Sequence, residues 1–367
     1  MDSSYDFLVI GGGSAGYAAA RTAHDLGMRV AVVDGARELG GLCILRGCMP
    51  SKTLIESANR FRSMRRAEEF GLRASGLEVR PEEIRYRKRR LIREFAEYRA
   101  GQLEDGRFDL HRATARFVDG HHVRIDPLDG GESQTLSFKS ALVATGSTIA
   151  RPPVDGLEET GYWTSDDALD ADTLPDSVVV LGGGAIALEL ACYFEGMGKE
   201  VTVIQRGKHV LSGTDTDIAA ALETALRERE NLTLFTGTRL LKTEKDATTG
   251  RKTVAFEWEG GTRNVSADQI LLATGRRPNT AGLDAPAAGI DLAESSGAVL
   301  ASDQQRTSAP HIFAAGDVCG PHEVVHIAIE QGEIAAQNAA ALLGFSDAPP
   351  RSIDYRLKLL GIFTDPE

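Results

Sequence analysis

The chain holds only four cysteines in 367 residues, too few for a disulfide-stapled scaffold. It has no run of about 18 apolar residues, so no membrane-spanning helix is expected. It also lacks a positive balance. Its 41 Lys and Arg against 53 Asp and Glu leave a formal net charge of -12, which argues against a general nucleic-acid binder. The first apolar stretch, Phe7 to Ala20, has no basic flank and is broken by glycines, so it is not a signal peptide and a cytoplasmic location is expected. No second cysteine pair or histidine cluster stands at zinc-ligand spacing, so no metal site is expected. What remains is an ordinary globular mix, 42% hydrophobic and 26% charged, long enough for two or three domains.

One device occurs twice. Asp6 to Ile10 has strand character and leads into Gly11-Gly-Gly13-Ser14-Ala15-Gly16, then a helix from Tyr17 to Leu26 and a second strand from Arg29 to Val33. A helix starting at such a turn aims unpaired N–H groups and its positive dipole end at a pyrophosphate. Gly11 permits the turn, Gly13 lets phosphate approach the backbone, and Gly16 lets helix pack on strand. Asp34 closes the second strand, where an acid would bind ribose hydroxyls. The pattern returns as Ser177 to Leu181, Gly182-Gly-Gly184-Ala185-Ile186-Ala187, a helix to Gly196 and a strand from Glu200 to Ile204. Gly11 to Asp34 and Gly182 to Gln205 both span 23 positions. Two copies in matching context predict two doubly wound, Rossmann-like α/β nucleotide-binding domains. In the second copy Gln205 replaces the acid and Arg206 follows it. Losing the carboxylate removes repulsion against a 2′-phosphate and the arginine can pair with one, which favours NADPH over NADH.

Cys43 and Cys48 stand in Gly40-Gly41-Leu-Cys43-Ile-Leu-Arg-Gly-Cys48-Met-Pro-Ser-Lys52, just past the first glycine motif. A close cysteine pair in this compartment does redox work more often than structural work, and in a doubly wound fold this segment lies near the cofactor end of the strands. Cys192 and Cys319 stand alone and read as inert buried thiols.

The cysteine run resembles the redox motif of the pyridine nucleotide–disulfide oxidoreductases, the family of dihydrolipoamide dehydrogenase, mercuric reductase and glutathione reductase. Ala141 to Gly146 and Ile270 to Asn279 resemble that family's two strands ending in Ala-Thr-Gly, with Thr145, Gly146 and Gly275 at their ends. Thr307 to Asp317 resembles its second FAD motif, with Gly316 and Asp317 at the flavin's ribityl chain. The resemblance spans nearly the whole chain. It implies FAD, a nicotinamide cofactor and a dithiol or disulfide substrate. Cys43 would be the interchange thiol and Cys48 the thiol facing the flavin, because exchange passes through a mixed disulfide that a second thiolate resolves. Lys52 and Glu189 match positions that pair beside the reactive edge of the flavin, and Ala115 lies near where relatives contact adenine. Ala185 stands where some relatives carry an aromatic gate.

The resemblance also implies a layout. Residues 1–150 would be the first part of an FAD domain carrying the cysteines and a helical insertion, 151–280 an inserted NAD(P) domain, 281–348 the rest of the FAD domain, and 349–367 the start of a truncated dimerisation domain. A His–Glu dyad belonging to that last domain would be missing, so poor disulfide turnover, weak dimerisation and an exposed apolar strand from Leu357 to Phe363 are expected of this chain, with a homodimer in the full-length form. The basic run Arg85 to Arg90 reads as a charged face of an amphipathic helix. Arg21 reads as a surface arginine and His311 carries no catalytic weight. The expected activity is dihydrolipoamide dehydrogenase-like. A mercuric or glutathione-type reductase, an NAD(P)H oxidase or transhydrogenase, and a non-catalytic redox module are the alternatives.

Overall fold

The structure, a computed structural model, describes residues 4–356 and 358–367. It divides into two compact units. The first gathers Met1–Leu45, Arg93–Thr148 and Arg276–Leu360; the second gathers Arg46–Ile92, Ile149–Gly275 and Gly361–Glu367.

The first unit is built on a seven-stranded sheet. Its parallel part runs in the order Asp109–His111, Val30–Val33, Ser4–Ile10, Gln134–Val143, Ile312–Ala314. On the edge away from Ser4–Ile10, the strand Gln134–Val143 serves two partners along its length. Its first half pairs antiparallel with His122–Pro127, and Ala141 to Val143 pair parallel with Ile312 to Ala314. Alternate residues of Ser4–Ile10 reach opposite faces, as strand geometry demands. Phe7 and Val9 enter a core under the helices Ser14–Asp25 and Val325–Leu343. Leu8 and Ile10 enter a core formed with the antiparallel strands Ala113–Asp119 and His122–Pro127. Both faces are covered, which is why the central strands read as unbroken apolar runs. The strands end at Ile10, Val33, Val143 and Ala314, and the residues just beyond them are Gly11, Asp34, Thr145 and Gly316.

The second unit repeats the scheme with a four-stranded parallel sheet in the order Leu232–Phe235, Glu200–Ile204, Ser177–Leu181, Gln269–Leu272. Val178 and Val180 face the helices Cys48–Arg65 and Ala185–Gly196. Val179 and Leu181 face the antiparallel sheet Arg239–Lys245, Lys252–Trp258, Gly261–Ala267. No helix among the described residues is long and apolar enough to cross a membrane.

The expected layout differs from this division in two places. The helix Cys48–Arg65 belongs with the second unit rather than with residues 1–45. The reason is packing: Leu54, Ile55 and Ala58 share a core with Ala187, Leu190 and Phe194. A Cβ on Gly196 would lie 3.0 Å from that of Ala58, so the glycine lets the two helices meet closely. The other difference is at the end of the chain. Leu357 lies outside the described residues, and residues 358–363 form no strand, although Leu359 and Leu360 are exposed.

The basic run Arg85 to Arg90 is only partly a solvated face. Lys88 is buried and paired with Asp170, and Arg89 reaches the same carboxylate at 3.5 Å. Arg21 is paired with Glu333 at 2.6 Å. His311 stacks on His121 at 4.3 Å between ring centres and bonds to the Gly120 carbonyl oxygen.

Candidate active-site elements

In the first unit the glycine motif forms the turn its spacing predicts. Gly11 has φ +106°, and a Cβ there would lie 2.3 Å from the Ala144 carbonyl oxygen. A Cβ on Gly16 would lie 1.8 Å from the Gly11 oxygen, so only glycine allows this helix to start so close to its strand. Gly13 differs. Its φ of -68° suits any residue, and a Cβ there would meet only the Gly41 Cα, at 3.9 Å. The fold therefore does not need a glycine at 13; open space at the helix start does. Gly13 is also the N-cap of Ser14–Asp25 without a side-chain cap. The first-turn N–H groups of Ser14, Ala15 and Gly16 thus lack intrahelical acceptors. Donors arranged in such a cradle fit a pyrophosphate.

The other first-unit residues converge on that cradle. Asp34 is buried, with its carboxylate accepting from the Gly12 N–H at 2.7 Å and the Ala36 N–H at 2.9 Å. Each oxygen keeps a lone pair for a ribose hydroxyl. The strand bearing Ala115 begins beside it, since the Ala113 N–H donates to the Asp34 carbonyl at 3.2 Å. Gly316 lies against Ala15, and a Cβ on it would be 3.5 Å from the Ala15 methyl. Asp317 accepts from the Ser147 hydroxyl at 2.6 Å, and Arg276 holds Ser147 through its Nε at 2.7 Å. Thr145 donates to the Asn279 carbonyl at 2.7 Å, while the Asn279 N–H donates to Gly146 at 2.9 Å. The segment carrying Cys43 docks here too. A Cβ on Gly41 would lie 2.7 Å from the Gly13 Cα. Cys43 itself is half-buried in the short helix Gly41–Leu45. These groups fit a dinucleotide of the FAD type: backbone donors for phosphate, a buried acid for ribose, and a second acid at the end of the fifth parallel strand.

In the second unit, Cys48 is exposed and opens the helix Cys48–Arg65. Its sulfur thus stands in the first turn of that helix. Lys52 follows four residues later, on the same helix face. Its ammonium donates to both oxygens of Glu189, at 2.8 and 2.7 Å, and Glu189 is 4% exposed. The second glycine turn copies the first. Gly182 has φ +122°, with a would-be Cβ 2.2 Å from the Ala273 oxygen. Gly184 has open space at the start of Ala185–Gly196 and caps it without a side chain. Ile186 projects outward, and no aromatic ring stands at Ala185. Gln205 lies over Gly183 as Asp34 lies over Gly12, but its amide donates to the His209 carbonyl at 3.2 Å. Arg206 is exposed. Gly275 accepts from the Ala150 N–H at 3.0 Å.

Cys192 is buried as expected, whereas Cys319 is half-buried; burial raises both thiols, that of Cys319 to about 12. Sequence reasoning missed Ser147, Gln331 and Phe363. Ser147 directly follows a quoted Ala-Thr-Gly run, so its position was available. Gln331 is fully buried and holds the Gly316 N–H at 2.7 Å, but nothing in a helix sequence marks it.

Two dinucleotide cradles, a cysteine segment seated against one and a buried lysine–carboxylate pair beside the other define a flavin- and nicotinamide-dependent oxidoreductase. Comparison with known proteins agrees. Residues 5–332 match the family described as pyridine nucleotide-disulphide oxidoreductase. A dihydrolipoyl dehydrogenase of Bacillus subtilis (strain 168) is 31% identical, the alignment covering 100% of this chain and 77% of the relative. A mercuric reductase of Staphylococcus aureus is 34% identical, covering 100% of this chain and 64% of the relative. A dihydrolipoyl dehydrogenase of Thermus scotoductus is 34% identical over 96% of this chain and 74% of the relative. The chain belongs to the pyridine nucleotide-disulphide oxidoreductase family.

Proposed function

We propose that this chain exchanges electrons between NADPH and a dithiol–disulfide substrate of the lipoyl type through Cys43 and Cys48. The observation that carries the reading is the seating of Gly41, two residues before Cys43, on Gly13 of the first cradle. FAD, which Gly11 to Gly16, Asp34 and Asp317 would hold, would supply two-electron redox chemistry when bound. The chain's own groups do the rest. The N–H groups at Ser14 to Gly16 and at Ala185 to Ala187 bind the two pyrophosphates. Lys52, oriented by Glu189, stabilises negative charge that develops near it. In the disulfide-reducing direction, the Cys43 thiolate attacks one sulfur of the substrate disulfide and displaces the other as a thiolate, which takes up a proton. The Cys48 thiolate then attacks the Cys43 sulfur, closing the Cys43–Cys48 disulfide and releasing the second substrate thiol. Two electrons have left the cysteines. The lipoyl direction runs these steps backward.

The preference for NADPH is supported by Gln205, whose amide faces its own loop, and by Arg206 and Lys208 beside it. We assign Residues 1–45, 93–148 and 276–360 to FAD and residues 149–275 to the nicotinamide nucleotide. The test is anaerobic titration of the FAD-loaded protein with NADPH and with NADH, in the native chain and in Cys48→Ser. Reduction by NADPH with four electrons taken up in all, falling to two in Cys48→Ser, supports the reading. A native protein whose flavin is bleached by the first two electrons and that takes up no more refutes the cysteine circuit, and stronger reduction by NADH refutes the cofactor preference. Turnover with dihydrolipoamide against Hg(II) then separates the two substrate classes.

A further inference from the structure

We propose that Phe363 is a positioning residue for the Lys52–Glu189 pair, set in place by the ion pair between Arg229 and Asp365. The inference deepens the proposed role of Lys52 and rests on it. Residues 361–367 cluster with the second unit, and what anchors them is charge. Asp365 pairs with Arg229 and reaches Arg62 at 3.2 Å. Glu195 joins the same two arginines, at 3.3 Å to Arg62 and 2.5 Å to Arg229. The side chains of Arg62, Arg229 and Glu195 are only 14–15% exposed, so the four groups form a largely desolvated network. With Asp365 fixed, Phe363 lies two residues away and its freedom is small.

Phe363 then meets the pair twice. Its N–H donates to Glu189 Oε1 at 3.1 Å, adding a neutral donor to the carboxylate that Lys52 already holds. Its ring lies 4.8 Å from the Lys52 nitrogen. An ammonium has three donors. Two go to Glu189, and the ring face covers Lys52 from another side, where the attraction of cation to ring holds the ammonium in place and limits water. A leucine at 363 would fill similar space without the negative ring face; a tyrosine would restore it.

The test is the rate at which Lys52 is acylated by an amine-reactive acetyl ester, read by mass spectrometry on the whole chain, with Lys242 as an internal control. The ring contact holds the amine against Glu189 and away from the reagent, so losing it should free the side chain and speed labelling. Phe363→Leu should raise the Lys52 rate about two- to five-fold, Asp365→Asn should do the same by freeing the segment, and Phe363→Tyr should label like the native chain. Equal Lys52 rates in the native, Leu and Tyr proteins would overturn the proposal. So would a Tyr variant that labels as fast as Leu. This readout needs no turnover. If Lys52→Met leaves flavin reduction by nicotinamide unchanged, the role of Lys52 fails while the positioning by Phe363 is still decided by labelling.

Discussion

Replacing Lys52 with methionine should destabilise the second unit more than replacing Glu189 with glutamine, although each breaks the same ion pair. The asymmetry comes from burial. The Glu189 side chain is 6% exposed and that of Lys52 30%. In Lys52→Met the carboxylate stays buried with only the Phe363 N–H as a described donor. Stripping a fully buried charge of its partner costs about 3–5 kcal/mol, and the remaining donor and the half-open site reduce this to about 2–3 kcal/mol. In Glu189→Gln the lysine turns toward water and the amide still accepts a hydrogen bond, so the cost is about 1 kcal/mol. The double variant removes both charges and should be less destabilised than Lys52→Met alone, because no unpaired ion is left. The assay is urea unfolding followed by tryptophan fluorescence. Both tryptophans, Trp163 and Trp258, lie in the second unit, so the signal reports the unit that holds the pair. A cost for Glu189→Gln equal to or above that for Lys52→Met, or a double variant worse than both, would refute the reasoning.

Gly16→Ala should fail to fold or lose more than about 3 kcal/mol, since its methyl meets backbone, whereas Gly13→Ala should keep its melting behaviour and lose FAD affinity; calorimetry and flavin titration of both variants check the contrast. After reduction with dithiothreitol, iodoacetamide at pH 8 should label Cys48 and spare Cys319, because a thiol near 12 is ionised in only about one molecule in ten thousand there. Peptide mapping that finds Cys319 modified as fast as Cys48 contradicts this. His111 is half-buried and burial holds it below its ordinary 6.5. The unfolded chain therefore takes up that proton first, and stability should fall as pH drops through 6.5. His111→Gln should flatten that part of the stability profile, and an unchanged slope would count against the assignment.

The strands and helices of both glycine units were legible because three short-range signals agree at each: an apolar run, a glycine turn and a helical period. Ser177–Leu181 and Glu200–Ile204 match the sequence reading residue for residue. The allegiance of Cys48–Arg65 was not legible, since it depends on which distant helix offers a groove for Leu54, Ile55 and Ala58, and here Gly196 provides it. The basic run does lie on a largely exposed helix face, but the burial of Lys88 in it was not legible for a similar reason. Helical periodicity gives a charged face but not that Asp170, 82 positions from Lys88, would be packed against it. Resemblance to a family supplied what local patterns could not: the pairing of Lys52 with Glu189 across 137 positions.

The two cradles explain why nucleotide binding is easier to read than chemistry. The groups that would hold each pyrophosphate are backbone N–H groups, and glycines at fixed spacing set where they point, so six adjacent residues carry the signal. What distinguishes the cradles lies in side chains. Asp34 anchors its turn through the Gly12 N–H, while Gln205 at the matching place turns its amide to His209 and leaves the exposed Arg206 to meet what binds. Gly16 is required by a contact of 1.8 Å, yet Ala187 fills the corresponding place in the second motif and is fully buried. The second helix must therefore stand slightly farther from its strand. By the proposed reading, the duplicated fold keeps the turn geometry and varies the side chains at the end of the second strand, Asp34 in one unit and Gln205 in the other. By that logic, Gln205→Glu should shift preference toward NADH by restoring the acid at the ribose, without disturbing the turn. A variant that binds NADPH as tightly as before would mean that selection lies elsewhere than at the end of the Glu200–Ile204 strand.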